Sequence, residues 1–367
     1  PPLPIEKIII FSMGNGGSQR MMVNLLNNIN LNNKNKILFL YNATKTSDLE
    51  TQIDKSVRIY KVTSTSFAKH FLRLKMLVSI LINEKITSIV SFAINGTILA
   101  LISKIILPFY KIPIIYRMVS IDSALTYSRH HLISKLKSFL YINVFCRFPN
   151  TIICQSDFML KSLISQAPKT LNHNSIVVRN VIDTLLIDRN LNDIFEVNYK
   201  YFVFIGRLSP EKNIIKIIEA FNIIKEQIDH KLLIIGNGSE YDNIRGIIEK
   251  LKLVDKVLML GFQANPYKYL IKSDALLLFS EYEGLPNIVL ESMYCKTPVI
   301  VSDFKGADEI VIHNKTGFIV QNNNIAMLSE YLRKIMTQNN SDMVMNAYKY
   351  VNNLTQESLS KYRSLIS

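Results

Sequence analysis

The stretch Ser280–Asn287 reads S-E-Y-E-G-L-P-N and runs directly into I-V-L-E-S-M at Ile288–Met293. An apolar run at Ala275–Phe279 precedes it, and apolar residues at helical spacing follow it. This pattern predicts a buried strand, a tight turn and a helix that begins near Pro286–Asn287. The N–H groups at the start of such a helix face whatever lies above the strand, which suits a phosphate ligand.

Two carboxylates frame this turn. Glu283 precedes the predicted helix and Glu291 lies one turn inside it, so both side chains could face one cleft. Taken alone, the pair is compatible with acid/base chemistry of the kind a hydrolase uses, or with two acids that have no role in a site. The neighbouring motifs decide between these interpretations.

Length and composition indicate an ordinary globular protein. The 367 residues suggest two domains, and 48% hydrophobic with 20% charged residues excludes a disordered chain. The apolar run Ile98–Tyr110 is interrupted by Ser103 and Lys104, so it is too short and too polar to span a bilayer. The first residues lead into a strand-like run, and we expect no signal peptide. The three cysteines show no metal or redox spacing, which favours reduced thiols in the cytosol.

The excess positive charge is concentrated in the first half of the chain. The net charge is +14, and residues 1–200 carry 24 Lys and Arg against 11 Asp and Glu. A basic half of this kind could attract nucleic acid, an anionic membrane or a polyanionic substrate, and composition alone does not choose among them.

Strands and helices alternate through this first half. A strand at Ile5–Ser12 leads into a glycine-rich turn with Gly14, Gly16 and Gly17, and a helix follows. These glycines would let the backbone approach a ligand, although the turn could also be tight without binding one. Further strands are predicted at Ile37–Tyr41, Val57–Val62, Ser88–Phe92, Ile114–Arg117, Thr151–Gln155 and Ile176–Ile182. The alternation predicts a parallel sheet covered by helices on both faces.

Two segments of this half predict basic amphipathic helices. Ser66–Ile82 carries Lys and Arg among apolar residues, and Ser128–Arg147 carries Arg129, Lys135 and Lys137 beside leucines and phenylalanines. Such helices suit the surface of an anionic membrane, and the alternative is core-facing helices with solvated basic faces.

The second half begins after Asp183–Lys200, a polar, aperiodic segment that we take as the domain boundary. Four strand-helix units follow, each with a glycine at or just past the end of its strand. The motifs are Gly206–Asn213, Gly236–Glu240, Gly261–Pro266 and the opening stretch. Doubly wound domains bind ligands at the carboxyl ends of their strands, which is where all these motifs fall.

Arg207 and Lys212 lie five positions apart in the first of these motifs. A guanidinium and an ammonium at strand ends can neutralise a diphosphate, and the alternative is a solvated surface pair. The chain contains no D-x-D, so we expect no divalent metal and no other cofactor.

These motifs together resemble the retaining family 4 glycosyltransferases, which have the GT-B fold. The resemblance covers most of residues 5–335 and is most specific within 201–320. It is carried by G-R-L-S-P-E-K-N, by E-G-L-P-N-I-V-L-E-S-M and by P-V-I-V-S-D, with G-N-G-G-S-Q-R and R-N-V-I-D in the first half. Within the family, the chain looks most like bacterial N-acetylgalactosaminyltransferases that extend undecaprenyl-diphosphate-linked glycans.

The resemblance implies a role for each matching residue. Arg207 and Lys212 would hold the donor diphosphate, Glu283 the donor sugar and Glu291 the ribose. Gly206, Gly284, Leu285, Pro286 and Asn287 would line the sugar and phosphate, Gly261 and Phe262 would flank the base, and Gly16 and Gly17 would cover the diphosphate from the other domain. Many family members carry a histidine where this chain has Arg117. Arg117 is therefore expected either to contact a donor or acceptor phosphate or to serve as a structural ion-pair residue.

The resemblance implies two Rossmann-like doubly wound α/β domains that face each other across a cleft. We expect an acceptor-binding, membrane-facing domain at 1–185, a nucleotide-sugar-binding domain at 196–345, and a final helix at 346–367 that packs back towards the first domain. The predicted activity is metal-independent, retaining transfer of an N-acetylhexosamine or hexose from a UDP-sugar to a lipid-linked saccharide in surface polysaccharide or glycan synthesis. The predicted location is the inner face of a bacterial cytoplasmic membrane, with no nucleic acid partner. The alternatives are transfer to a soluble small acceptor and a nucleotide-binding protein without catalysis.

Overall fold

A computed structural model describes residues 7–12, 17–29, 35–41, 50–62, 69–92, 94–118, 145–166, 175–193 and 195–366. The chain forms two compact units, each of which is described by itself. Unit 1 comprises Pro1–Asp183 and Thr355–Ser367, and unit 2 comprises Thr184–Leu354. The first break lies two residues before the predicted end of the first domain, and the chain returns to unit 1 nine residues later than predicted.

Unit 1 is built on a parallel sheet of seven strands in the order β3-β2-β1-β4-β5-β6-β7. The order reverses between β1 and β4, as in a doubly wound Rossmann sheet. The strands are β1 (Lys7–Ser12), β2 (Asn35–Tyr41), β3 (Arg58–Val62), β4 (Ser88–Ser91), β5 (Ile114–Arg117), β6 (Thr151–Cys154) and β7 (Ser175–Val177). The described helices are α1 (Gly17–Asn28), α2 (Lys69–Asn83), α3 (Ile94–Ile106) and α4 (Asp157–Gln166). Ser156 caps α4, as its position before the helix predicts, since its Oγ accepts from the N–H of Met159 at 3.1 Å.

The motif R-N-V-I-D (Arg179–Asp183) has a structural role at the end of the first segment of unit 1. Val181 and Ile182 are fully buried. The backbone oxygen of Val181 accepts from Asn24 on α1 at 2.9 Å, and the Asp183 carboxylate accepts from Asn27 at 2.7 Å. The apolar pair and its polar neighbours therefore fasten the last segment of unit 1 to α1.

Arg117 belongs to the interior of unit 1. It is 1% exposed, and its guanidinium donates to the oxygen of Val178 at 3.0 Å, to the hydroxyl of Tyr362 at 2.7 Å and to Asn180 Oδ1. These contacts favour a structural role over the phosphate contact that we expected. The partners are neutral, so the structural role differs from the ion pair named as its alternative.

Unit 2 repeats the same topology with six parallel strands in the order β10-β9-β8-β11-β12-β13. The strands are β8 (Lys200–Ile205), β9 (His230–Ile235), β10 (Val257–Gly261), β11 (Ala275–Leu278), β12 (Val299–Ser302) and β13 (Phe318–Val320). Its helices are α5 (Thr184–Asn190), α6 (Ile214–Ile224), α7 (Tyr241–Lys250), α8 (Tyr267–Leu270), α9 (Asn287–Tyr294), α10 (Ile325–Thr337) and the first part of α11 (Ser341–Ile366). β11 is buried at every position, as strands covered on both faces must be.

Two elements differ from the prediction. The segment predicted as an aperiodic linker contains α5, whose Ile187 is fully buried and whose Asp188 accepts from the hydroxyl of Tyr294 at 3.1 Å. α5 is too short to show a helical period in the sequence, and only its packing reveals it. The final helix is one continuous element, α11, that begins at Ser341 in unit 2 and ends at Ile366 in unit 1.

The helix α3 was not predicted. Its apolar residues are large on one side and small on the other, which obscures the usual helical period. In the part of the chain that the structure describes, no helix is both long enough and apolar enough to cross a membrane.

The Arg117–Tyr362 contact generates a prediction about stability. Tyr362→Phe should lower the free energy of unfolding by about 1–2 kcal/mol, because a buried guanidinium loses one acceptor. The measurement is urea unfolding of the full chain. Tyr348→Phe on the same helix is the control, since the structure shows no hydrogen bond of its hydroxyl to a described residue. Equal midpoints for the two variants would contradict the proposed contact.

Candidate active site

The candidate site lies where the strand order of unit 2 reverses. β8 and β11 are neighbours in the sheet although three strand connections separate them in the chain. The loops that follow them, Gly206–Asn213 and Phe279–Pro286, therefore emerge side by side at the carboxyl edge. This switch point is the place at which open parallel sheets bind ligands.

The two loops are fastened to each other. The N–H of Glu281 donates to the backbone oxygen of Glu211 at 2.8 Å, and Lys212 Nζ pairs with Glu283 Oε1. The loop after β12 supports the same place, since Ser302 donates to the backbone oxygen of Ser280 at 2.6 Å. Of the residues that the sequence predicted for one site, Lys212 and Glu283 are in direct contact.

Glu283 is held in one orientation. Its Oε1 accepts from Lys212 and, at 2.7 Å, from the hydroxyl of Ser280. Among the contacts that the structure shows between described residues, none involves Oε2. Oε2 is therefore the atom of Glu283 that can accept a hydrogen bond from a ligand.

The cations of the first loop differ in their surroundings. Arg207 is exposed, whereas Lys212 is half-buried against Glu283. Glu211 lies in the same loop. Burial by itself would raise its pKa, but the hydrogen bond from Ser209 and the charges of Lys212 and Arg207 outweigh burial and lower the pKa below its usual value. Glu211 is therefore ionised at neutral pH, with its Oε1 held by Ser209 at 2.6 Å.

The helix α9 directs its N-terminus towards the second loop. It begins at Asn287, as predicted, and Pro286 at its N-cap provides no side-chain cap. By contrast, Asn324 caps α10 by accepting from the N–H of Met327. The positive end of α9 thus adds to the charges of Arg207 and Lys212 at this edge.

Glu291 is buried in α9, with only 3% of its surface exposed. Burial raises the pKa of the Cys295 thiol one turn later, and the charge of Glu291 raises it further. Glu291 is therefore a buried carboxylate, unlike the half-buried Glu283. Its contact with a ribose stays a prediction.

Glycines bring the strand ends close together. Gly236 has φ +139°, and a Cβ there would lie 1.8 Å from the backbone oxygen of Gly206. Backbone hydrogen bonds join the same strand ends. The N–H of Gly206 donates to the oxygen of Ile235 at 2.9 Å, and the N–H of Gly236 donates to the oxygen of Gly261 at 2.8 Å. Gly261 has φ +65° and precedes Phe262, whose ring is 62% exposed. An exposed aromatic ring at a strand end fits the predicted contact with a base.

The remaining predicted residues lie elsewhere. Gly17 begins α1, whereas Gly16, Arg129, Lys135 and Lys137 lie outside the described residues. The three cysteines are buried, and burial raises the pKa of Cys154 to about 12, so its thiol is not a nucleophile near neutral pH. Within the described residues, no group of three or more His, Cys, Asp and Glu side chains could hold a metal ion.

Sequence reasoning missed Ser280, Ser209 and Glu211 as parts of this site. Ser280 lies three residues before Glu283, and Ser209 lies two before Glu211. A serine two or three residues before a glutamate is a signal that the sequence contains. Because the chain has many serines, only the position of these two beside neighbouring strand ends identifies them as part of the site.

Comparison with protein families identifies the region that carries the site. Residues 189–351 match the family described as "Glycosyl transferases group 1". This range contains all the site residues of unit 2. Over this range the chain is similar to that family.

Two curated relatives illustrate the range of similar proteins. The first is an N-acetylgalactosamine-N,N'-diacetylbacillosaminyl-diphospho-undecaprenol 4-alpha-N-acetylgalactosaminyltransferase of Campylobacter jejuni. The chain is 32% identical to it over 215 residues, and the alignment covers 58% of this chain and 56% of that protein. The chain is 34% identical over 122 residues to N-acetyl-alpha-D-glucosaminyl L-malate synthase of Bacillus anthracis, which covers 33% and 32% respectively. These alignments span from a third to a little over half of each relative.

Solved structures share the fold along the whole chain. The crystal structure of Anabaena HepE in complex with UDP and glucose has a TM-score of 0.76 and 18% identity, and the match covers 98% of this chain and 100% of that one. The fold is therefore GT-B, with one Rossmann-like sheet in each unit, as the resemblance implied.

The close approach at Gly236 generates a second prediction. Gly236→Ala should destabilise the chain by about 3 kcal/mol or more, because a Cβ both strains the backbone and meets the oxygen of Gly206. The melting temperature of the full chain measures this. Gly246→Ala on α7 is the matched control, since a Cβ there meets nothing within 4 Å. An equal effect of both substitutions would show that the close approach is wrong.

Proposed function

We propose that this chain is a retaining glycosyltransferase that moves a sugar from a UDP-sugar to a lipid-linked saccharide. The observation that carries the proposal is the juxtaposition of Arg207, Lys212 and Glu283 at the switch point of unit 2, beside the N-terminus of α9. The match of residues 189–351 to a glycosyltransferase family supports the same reading of that site.

The two cations would hold the donor diphosphate. Arg207 is exposed and offers a planar set of N–H donors, and Lys212 can donate to a phosphate while it also donates to Glu283. The positive end of α9 acts in the same direction. The negative charge that develops on the leaving UDP is thereby offset, which lowers the barrier to departure.

In the proposed step, the bond between the anomeric carbon and the β-phosphate oxygen breaks and UDP keeps the electron pair. An acceptor hydroxyl bonds to the same face of the anomeric carbon, so its configuration is retained. The proton of that hydroxyl passes to the leaving phosphate. The step is balanced by donor and acceptor alone, and no metal ion enters it.

Glu283 would bind the donor sugar. Its Oε1 is occupied by Lys212 and Ser280, so Oε2 would accept from a sugar hydroxyl. Ser280 is then a positioning residue, because it fixes the carboxylate without touching the sugar. Glu291 would accept from the ribose, and Phe262 would lie against the uracil ring.

The lipid-linked acceptor is supported by the Campylobacter relative, whose name specifies an undecaprenol diphosphate. The soluble alternative is favoured by the Bacillus relative, whose name specifies L-malate. The excess cations of unit 1 suit an acceptor at an anionic membrane, and we place the enzyme on the inner face of the bacterial cytoplasmic membrane. HepE, whose structure contains UDP and glucose, supports the choice of donor.

The role of Arg207 generates a third prediction. Arg207→Ala should reduce the rate of sugar transfer about a hundredfold or more, or on the order of 3 kcal/mol, because the leaving diphosphate loses a charge partner. Single-turnover transfer kinetics measure this. Arg245→Ala is the control, since Arg245 is an exposed arginine of the same unit and pairs with Glu249 on α7 at 3.7 Å. Near-normal transfer by Arg207→Ala would remove it from the site.

Donor and acceptor are tested together in a fourth prediction. First, a panel of UDP-hexoses and UDP-N-acetylhexosamines is screened for binding by calorimetry. The donor that binds most tightly is then mixed with an undecaprenyl-diphosphate-linked saccharide or with L-malate, in buffer that contains EDTA, and sugar transfer is measured. We expect transfer to the lipid-linked saccharide. Transfer to L-malate alone would favour the soluble alternative, binding without transfer would favour a non-catalytic protein, and a requirement for added divalent metal would contradict the metal-free step.

A further inference from the structure

The helix α3 of unit 1 turns its large apolar side chains outwards. Ile94, Ile98, Ile102 and Ile105 follow one another at helical spacing, and all are exposed, Ile105 by 78%. The opposite side of the helix is buried and consists mostly of small residues: Gly96, Thr97, Leu99, Ala100 and Ser103. A surface helix normally shows the reverse distribution, with its large apolar residues facing the core.

The apolar surface continues beyond α3. In the turn that follows the helix, Phe109 is 94% exposed and Tyr110 is also exposed. The neighbouring helix α2 packs against α3 and exposes Phe71 and Leu72 in its first turn. Single exposed apolar residues are common on any protein, but a run of this length on two neighbouring helices indicates a surface that contacts something.

The exposed charged residues that the described parts of α2, α3 and the turn at 107–111 contribute are all lysines. Lys75, Lys104 and Lys111 are exposed, and the sequence contains no Asp or Glu between Glu84 and Asp122. Unit 1 as a whole carries 24 Lys and Arg against 9 Asp and Glu, a net charge of +15. The partner must therefore accept apolar side chains and supply negative charge.

A second copy of the chain does not meet both requirements. In a two-fold symmetric contact, the same surface is present on both sides, so these lysines would face an equally basic surface without an acidic partner. An anionic bilayer offers both components, since its acyl region takes up apolar side chains and its headgroups attract lysines.

We propose that α3, the turn at 107–111 and the first turn of α2 form a surface that docks onto an anionic lipid bilayer. α3 has 13 residues and is about 20 Å long. It would lie along the bilayer, with the isoleucine side chains and Phe109 in the interface and Lys104 and Lys111 against the headgroups. The surface differs from the predicted helix with Arg129, Lys135 and Lys137, which lies outside the described residues. It does not depend on the proposed transfer reaction, because binding to lipid needs no sugar nucleotide.

The test is flotation of the full chain with vesicles of phosphatidylglycerol and phosphatidylcholine, against vesicles of phosphatidylcholine alone. We expect binding to the anionic vesicles that weakens at high salt. The double variant Ile105→Gln with Phe109→Ala should reduce the partition coefficient roughly tenfold or more, because two exposed apolar groups no longer enter the interface. Lys104→Gln and Lys111→Gln should each reduce it about fivefold.

The matched control is the double variant Ile223→Gln with Val254→Gln in unit 2, whose side chains are 50% and 58% exposed. It should bind vesicles like the unaltered chain, and melting temperatures should show that all variants are folded. Absence of binding to anionic vesicles by the unaltered chain would overturn the proposal. Vesicle binding by the Ile105→Gln with Phe109→Ala variant equal to that of the unaltered chain would also overturn it. So would a change in the oligomeric state of that variant, measured by sedimentation, if its vesicle binding stayed the same.

Discussion

The fastening of two loops at the switch point of unit 2 is the constraint on which the candidate site depends. The pair between Lys212 and Glu283, with the hydrogen bond from Glu281 to Glu211, holds the carboxyl ends of β8 and β11 at one place. The charges of Arg207, Glu211, Lys212 and Glu283 sum to zero. In the proposed function, attraction for the donor diphosphate would therefore arise from their placement. Serine hydroxyls hold one oxygen of each acid, and the exposed Arg207 remains directed outwards.

The two units differ in net charge, in packing and in exposed apolar surface. Unit 2 is nearly neutral overall, and its close-packed glycines bring three strand ends within hydrogen-bonding distance. Unit 1 carries the excess positive charge and exposes the apolar side of α3. A site for a charged nucleotide needs fixed geometry, which the glycine contacts of unit 2 provide. Attachment to a fluid surface needs only area and charge, and unit 1 has both. The proposed transfer and the proposed docking therefore rest on different units and are separable by experiment.

Much of the fold could be predicted from the sequence, because buried parallel strands are continuous apolar runs and the glycines mark their ends. The seven described strands of unit 1 each overlap a predicted run, β11 lies within the predicted run Ala275–Phe279, and α9 begins at the predicted residue. The exceptions have physical reasons. α5 is too short for a period, and α3 reverses the usual distribution of apolar residues. For Arg117 the resemblance left a phosphate contact and a structural ion pair open, and neither foresaw its hydrogen bond to Tyr362, which is 245 residues away in the chain.

The sequence by itself determined the fold class and the glycines at the strand ends, because these depend on local pattern and spacing. Through its resemblance to a family it also predicted Arg207, Lys212, Glu283 and Glu291 as site residues. The tertiary structure decided what each residue contacts. It buried Glu291, left Glu283 half-buried with its Oε1 held by Lys212 and Ser280, and enclosed Arg117 among neutral partners. It also turned the isoleucines of α3 outwards. Contacts between residues far apart in the chain depend on which strands become neighbours, and the sheet order brings β8 beside β11 although β9 and β10 lie between them in the sequence.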